Sequence, residues 1–229
     1  MKRGLKCGGY VRYVDDFLLF ADDKELKTQS DLSKVVGQAG EVRGAKHGKL
    51  AALTAFVRGS IGAVRLLLDA GGTLVDTAPT YGNAEEVLGR LFYEMGIHER
   101  LFIATKISLW SFRLNSKQAG IDQMEESEKV LGKAPLDLIQ VHNLNDLDTQ
   151  WQNLQEWKQA GRIRYIGVTI YRYSQFDALE AFLRRATGVD FVQLNYSPIE
   201  PRADEVLIPL AAEKGAAIIV NRPFGNGGY

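Results

Sequence analysis

Four residues able to share acid–base and charge-stabilising work follow one another in this 229-residue chain: Asp76, Tyr81, Lys106 and His142. A phenol such as Tyr81 can protonate the alkoxide that develops when a carbonyl takes up a hydride from a nicotinamide. Its ordinary pKa of about 10 is too high for efficient transfer near neutrality, so a cation must stand beside it to favour the phenolate. Lys106 is the candidate cation. Asp76 would pair with that ammonium and orient it, and His142 would donate a hydrogen bond to the substrate oxygen. Taken singly, each has a plainer role: Asp76 as a turn cap, Tyr81 as a packed loop aromatic, Lys106 as a snorkelling side chain, His142 as a satisfied core histidine. The joint placement is what points to chemistry.

That placement depends on the elements carrying the residues. From Ser60 onward the chain repeats an amphipathic helix, a glycine or polar loop, and a short apolar strand ending in a polar residue, which is βα alternation. Ile61, Val64, Leu67 and Leu68 share a helical face, Gly71 and Gly72 stop that helix, and TLV leads into Asp76. Asn83 and Glu86 form an expected capping box for a helix burying Val87, Leu88, Leu91 and Phe92, followed by the strand LFIAT. LDLIQV ends at His142, YIGV at Thr169, FVQLN near Asn195 and AAIIV at Asn221. About six strands at roughly 30-residue intervals predict parallel pairing with crossover helices. An open doubly wound sheet fits the same alternation, but no GxGxxG follows the first strand, which favours a barrel with polar strand ends converging on one face.

The blocks DTAPTYGNAEEVLGR, FIATK, LDLIQVHN, GRIRYIGVT and FVQLNYSP resemble, in order and spacing, those of the aldo-keto reductase family, over roughly Gly71 to Gly228. The resemblance implies a TIM-type (β/α)8 barrel that uses NADP(H), with the catalytic tetrad on Asp76, Tyr81, Lys106 and His142. It implies cofactor contacts from Asp76, Thr169, Gln193 and Asn221. Gln193 matches the family glutamine near the nicotinamide carboxamide. The family's serine–asparagine after the fifth barrel strand is Thr169–Ile170 here, and Asn221 stands where many members carry a stacking aromatic, a loss for which Phe224 is a substitute. By the same resemblance the chain stops at Tyr229 before the strand and helix that complete the barrel, and it lacks a clear first strand, for which Leu50 to Val57 is a poor candidate. The expected fold is therefore an incomplete barrel of about six βα units with an N-terminal β-hairpin appendage. Its open edges favour oligomerisation or capture of a substitute strand.

Three segments are expected: residues 1–27, a linker of unclear structure over 28–59, and the barrel over 60–229. GLKCGGYVRYVDDFLLFADDKEL, about Gly4 to Lys27, resembles the palm hairpin of group II intron or retron-type reverse transcriptases, with YVDD as the signature box. Paired carboxylates hold metal in such polymerases, but one hairpin without fingers or thumb cannot polymerise, and no metal is assigned. YVRYV and FLLFA have the alternation to pair with an open barrel edge, an idea that requires Tyr10 to Phe20 to lie near Val75 or Val220.

Lysine plus arginine equals aspartate plus glutamate at 28 each, so no net field draws the chain to nucleic acid or an anionic membrane. A small carbonyl compound is the expected partner. The single cysteine, Cys7, excludes an intramolecular disulfide framework, and the cytoplasm is the default compartment. The function expected first is reduction of a small aldehyde or ketone. The alternatives are a non-catalytic nicotinamide-binding module and a chimeric or truncated product without a function of its own. Ser108 to Gln118 is the expected pocket-lining loop.

Overall fold

Every apolar run that the sequence closes with a polar residue is a strand, and the six runs are parallel neighbours in one curled sheet. The structure, a computed structural model, describes residues 15–16, 51–54, 64, 68, 72–109, 116–197 and 199–222. Its strands are β1 (Asp15–Asp16), β2 (Ala51–Thr54), β3 (Leu74–Asp76), β4 (Phe102–Ile107), β5 (Leu136–His142), β6 (Ile163–Thr169), β7 (Phe191–Asn195) and β8 (Ala217–Asn221). The helices between them are α1 (Ala84–Met95), α2 (Lys117–Leu131), α3 (Leu147–Gln159), α4 (Phe176–Arg185) and α5 (Leu207–Glu213). The sheet order is β1 to β8 in sequence, every pairing parallel. From β3 to β8 strands and helices alternate strictly, giving an incomplete (β/α) barrel.

β2 falls within the 28–59 segment and pairs in register with β3, Thr54 opposite Asp76. β1, the two aspartates of YVDD, pairs with β2 and also lies against β8. These two residues are thus near the edge that the strand-capture idea requires. The rest of the hairpin, and Phe224, lie outside the described residues.

The strands β3 to β8 are mostly apolar and mostly buried because both sides are covered. β5 is buried at all seven positions, as expected for a parallel strand between an interior and a helical layer. Towards the helices, Leu88, Phe92, Leu131, Leu154, Leu179 and Leu207 belong to one continuous core. Inside the curl, Leu74, Ala104, Leu138 and Ile219 pack with Phe102, Tyr165 and Phe191, whose rings meet at 5.7 to 5.9 Å between centroids. The interior is therefore apolar towards the N-terminal ends of the strands and polar at the C-terminal ends, where the candidate residues sit.

Two glycines are required by close approach. A Cβ on Gly89 would sit 1.8 Å from the Val130 carbonyl oxygen, so only glycine lets α1 press against α2. A Cβ on Gly167 would sit 2.4 Å from the Phe191 carbonyl oxygen, inside the β6–β7 ladder. Near the strand beginnings, fully buried Asp137 accepts the Ile103 N–H at 2.9 Å and pairs with Lys133 and Arg164 at 2.6 Å. A buried carboxylate persists only with such partners.

The capping box expected at α1 does not form. Asn83 makes no side-chain cap bond, because left-handed Gly82 closes a turn in which the Tyr81 carbonyl accepts the Ala84 N–H. Glu85, not Glu86, is the acidic residue that matters there: it points inward and is buried. Thr105 and Ser127 hydroxyls both donate to its carboxylate, tying α1 to β4 and α2. No helix among the described residues is long and apolar enough to cross a membrane.

Candidate active site

Alternation along a strand sends neighbouring side chains to opposite faces, and β4 shows the consequence. Thr105 turns outward to Glu85, and Lys106 turns into the interior. Lys106 is buried, and its ammonium donates to Asp76 Oδ1 at 2.8 Å, Asp76 Oδ2 at 2.9 Å and the Thr77 carbonyl at 2.8 Å. Burial alone would push the lysine towards its neutral form. The Asp76 charge, with charge and hydrogen-bond contributions from Tyr81, outweighs burial and holds the Lys106 pKa above its ordinary value.

Tyr81 stands in the turn between β3 and α1, its ring centroid 5.1 Å from Lys106 Nζ. His142, the last residue of β5, meets that ring edge to face, 6.1 Å between centroids at 82°. Burial, then repulsion by the Lys106 ammonium, lowers the His142 pKa to about 3, so the imidazole is neutral at physiological pH. Three residues just beyond it, Asn143, Leu144 and Asp146, are left-handed, a costly conformation for a leucine. The Asn145 N–H donates back to the His142 carbonyl at 3.1 Å, and the Gln175 side chain holds the Asn143 carbonyl at 2.9 Å.

The structure thus brings Asp76, Tyr81, Lys106 and His142 together, from three successive units. It also joins Gln193 and Asn221 to them. Gln193 Nε2 donates to Asp76 Oδ2 at 3.2 Å and to Asn221 Oδ1 at 2.8 Å, and Asn221 Nδ2 donates to the Ile170 carbonyl at 3.2 Å. Ile170 turns its own side chain into the core, and the amide beside its backbone comes from Asn221. Thr169 lies buried in register between His142 and Gln193. Of the expected pocket loop, 110–115 lie outside the described residues.

Four further participants stand outside the residues given a catalytic or cofactor role in the sequence. Ser108 Oγ contacts His142 Nδ1 at 2.5 Å, the Thr77 carbonyl binds Lys106, Asn195 projects from β7 two residues after Gln193, and Glu85 accepts from the hydroxyl of Thr105, the residue beside Lys106. Ser108 opened the expected pocket-lining loop and Asn195 was a polar residue at a strand end, whereas Thr77 and Glu85 carried no sequence signal.

Residues 58–229 match the aldo/keto reductase family. The chain belongs to that family. Aldo-keto reductase YhdN of Bacillus subtilis is 33% identical over 164 residues, covering 67% of this chain and 48% of the relative. The Schizosaccharomyces pombe aldo-keto reductase yakc, whose name carries NADP(+), is 29% identical over 177 residues, covering 69% and 50%. The chain therefore spans about half the length of the curated relatives it matches. Among solved structures, an aldo/keto reductase from Brucella melitensis superposes with a TM-score of 0.60 at 26% identity, over 72% of this chain and 63% of that one. The holo form of aldo-keto reductase AKR11C1 from Bacillus halodurans gives 0.58 at 27% identity, over 70% and 54%.

The buried carboxylate behind the site gives a separate expectation. Burial raises the Glu85 pKa, against the hydrogen bonds of Thr105 and Ser127 and the nearby Lys106 charge. The native state then binds a proton that the unfolded chain releases, so stability falls as pH rises from the ordinary carboxylate range through the raised value. Glu85→Gln keeps one acceptor and removes that charge. Urea unfolding at pH 5 and pH 8 should show a smaller loss of stability across this interval for the variant than for the parent chain.

Proposed function

We propose that this chain reduces a small aldehyde or ketone to the alcohol with NADP(H), using Tyr81 as proton donor. The observation that carries the reading is the buried Lys106 ammonium, held by Asp76 and bonded to Tyr81, with neutral His142 across the phenol. A permanent positive charge beside a phenol favours its phenolate, which lets the group release a proton near neutrality. Asp76 keeps the ammonium from swinging away. His142, uncharged, offers a hydrogen bond to the carbonyl oxygen without adding a second cation beside Lys106.

Two orphaned acceptors suit the cofactor. Gln193 spends its amide N–H groups on Asp76 and Asn221, and Asn195 donates to the Tyr171 carbonyl, leaving Gln193 Oε1 and Asn195 Oδ1 buried without partners among the described residues. Buried acceptors call for donors, and a nicotinamide carboxamide brings an N–H2 group. Gln193, Asn195, Asn221 and Thr169 would hold that ring, and the bound reduced cofactor would supply the hydride. The NADP(+) in the name of the S. pombe relative supports the phosphorylated form.

The test is a fluorescence titration of the purified chain with NADPH, followed by an aldehyde turnover assay. Saturable binding and aldehyde-dependent oxidation are expected. Binding without turnover favours a non-catalytic module, and absence of binding removes the cofactor reading.

pH adds a second expectation. With its pKa near 3, His142 keeps one protonation state from pH 5 to 8, so kcat/KM should show no imidazole ionisation in that interval. The unfolded histidine titrates near its ordinary value of 6.5. The unfolded chain therefore binds more protons between these two values, and stability contributed here is lost as pH falls from about 6.5 towards 3. A pH series of rates beside urea melts checks both.

A further inference from the structure

We propose that Ser108 is a positioning residue for His142: its hydroxyl donates to Nδ1, fixes the ring against the end of β4, and leaves the imidazole proton on Nε2. The oxygen lies 2.5 Å from Nδ1, the separation of a strong hydrogen bond. Ser108 is buried, and its backbone N–H donates to Gln123 Oε1 on α2 at 2.6 Å, which fixes the hydroxyl in place.

A hydroxyl has one proton and two acceptor positions, and a neutral imidazole has one N–H and one bare nitrogen. The direction of the bond follows from what each choice leaves unsatisfied. If Nδ1–H donated to the oxygen, the Ser108 proton would be buried with no acceptor among the described residues, where its partner is Nδ1. Donation from Ser108 satisfies both groups. A doubly protonated ring is opposed by burial and by the Lys106 charge. The remaining form carries its hydrogen on Nε2, the donor a substrate oxygen needs.

That last consequence rests on the reductase reading, so the experiment separates the two. The chain contains three histidines, His47, His98 and His142. Long-range proton–nitrogen correlation spectra of the full chain, assigned with His142→Gln, report which nitrogen of His142 bears hydrogen, without any turnover. The expected result is a protonated Nε2 and a bare, hydrogen-bonded Nδ1. Ser108→Ala should shift the Nδ1 signal towards its unbonded position and lower kcat about 10- to 100-fold, by analogy with the loss seen when the outer partner of a metal-bound histidine is removed, with KM little changed. Ser108→Thr should restore both. A proton on Nδ1 in the parent chain, or unchanged His142 nitrogen signals in Ser108→Ala, overturns the proposal. If the parent shows the expected nitrogens but no turnover, the reductase reading fails and the Ser108 assignment stands.

Discussion

Tyr81→Phe is expected to lower carbonyl turnover by about 10²- to 10⁴-fold, the range that a positioned proton donor supplies, while the fold and NADPH binding persist. The change removes one hydroxyl and leaves the ring that stacks at 5.1 Å from the Lys106 ammonium and 6.1 Å from the His142 ring. Loss of a single hydrogen bond costs about 1 kcal/mol of stability, too little to unfold a domain with so continuous a core. Lys106 keeps Asp76 and the Thr77 carbonyl, so the buried charge stays paired. Steady-state rates with an aldehyde, set beside an NADPH titration and a thermal melt of the same variant, separate chemistry from folding. Equal turnover in variant and parent would remove Tyr81 from the reaction.

Lys106→Met should be damaging in two ways. It deletes the cation beside the phenol, and it strands the Asp76 carboxylate in an interior where, among the described residues, only Gln193 still donates to it. Breaking a buried ion pair by removing one partner costs about 3–5 kcal/mol, because the surviving charge has lost its compensation. The double variant Asp76→Asn with Lys106→Met removes that orphan charge. It should recover much of the lost stability and none of the turnover. Urea unfolding of the three proteins checks the first half of this statement, and the aldehyde assay checks the second. If Lys106→Met alone were as stable as the parent, the pair would not be the buried element described here.

The parts of this architecture legible in the sequence are those encoded over short distances. Each strand from β3 to β8 is an apolar run between turn residues with a polar residue at or near its C-terminal end, so Asp76, Lys106, His142, Thr169, Gln193 and Asn221 could be placed from the sequence. A barrel then gathers strand ends on one face, which is why the candidate tetrad meets. Pairings set by the curling of the sheet were not legible. Ser108 meets His142 across 34 residues, Ser127 meets Glu85 across 42 and Gln193 meets Asp76 across 117, and no local pattern announces any of them. At α1 the Asn83 and Glu86 signal was misleading, because the Gly82 turn satisfies the backbone and the interior selects Glu85. The left-handed Leu144 contradicts its own propensity, in the turn just beyond His142. The β2 strand was hard to read for the opposite reason: Ala51–Thr54 lies among glycine-rich polar sequence that lowers any periodic signal.

The most direct measurement is isotopic. The purified chain is incubated with NADPH deuterated at the reactive face of the nicotinamide and with a simple aldehyde, and the alcohol is examined by proton NMR. Deuterium on the carbinol carbon, forming about 10²- to 10⁴-fold more slowly when Tyr81→Phe replaces the parent, is the expected result. An alcohol without label, or no alcohol from a chain that binds NADPH tightly, contradicts the claim that these side chains reduce a carbonyl.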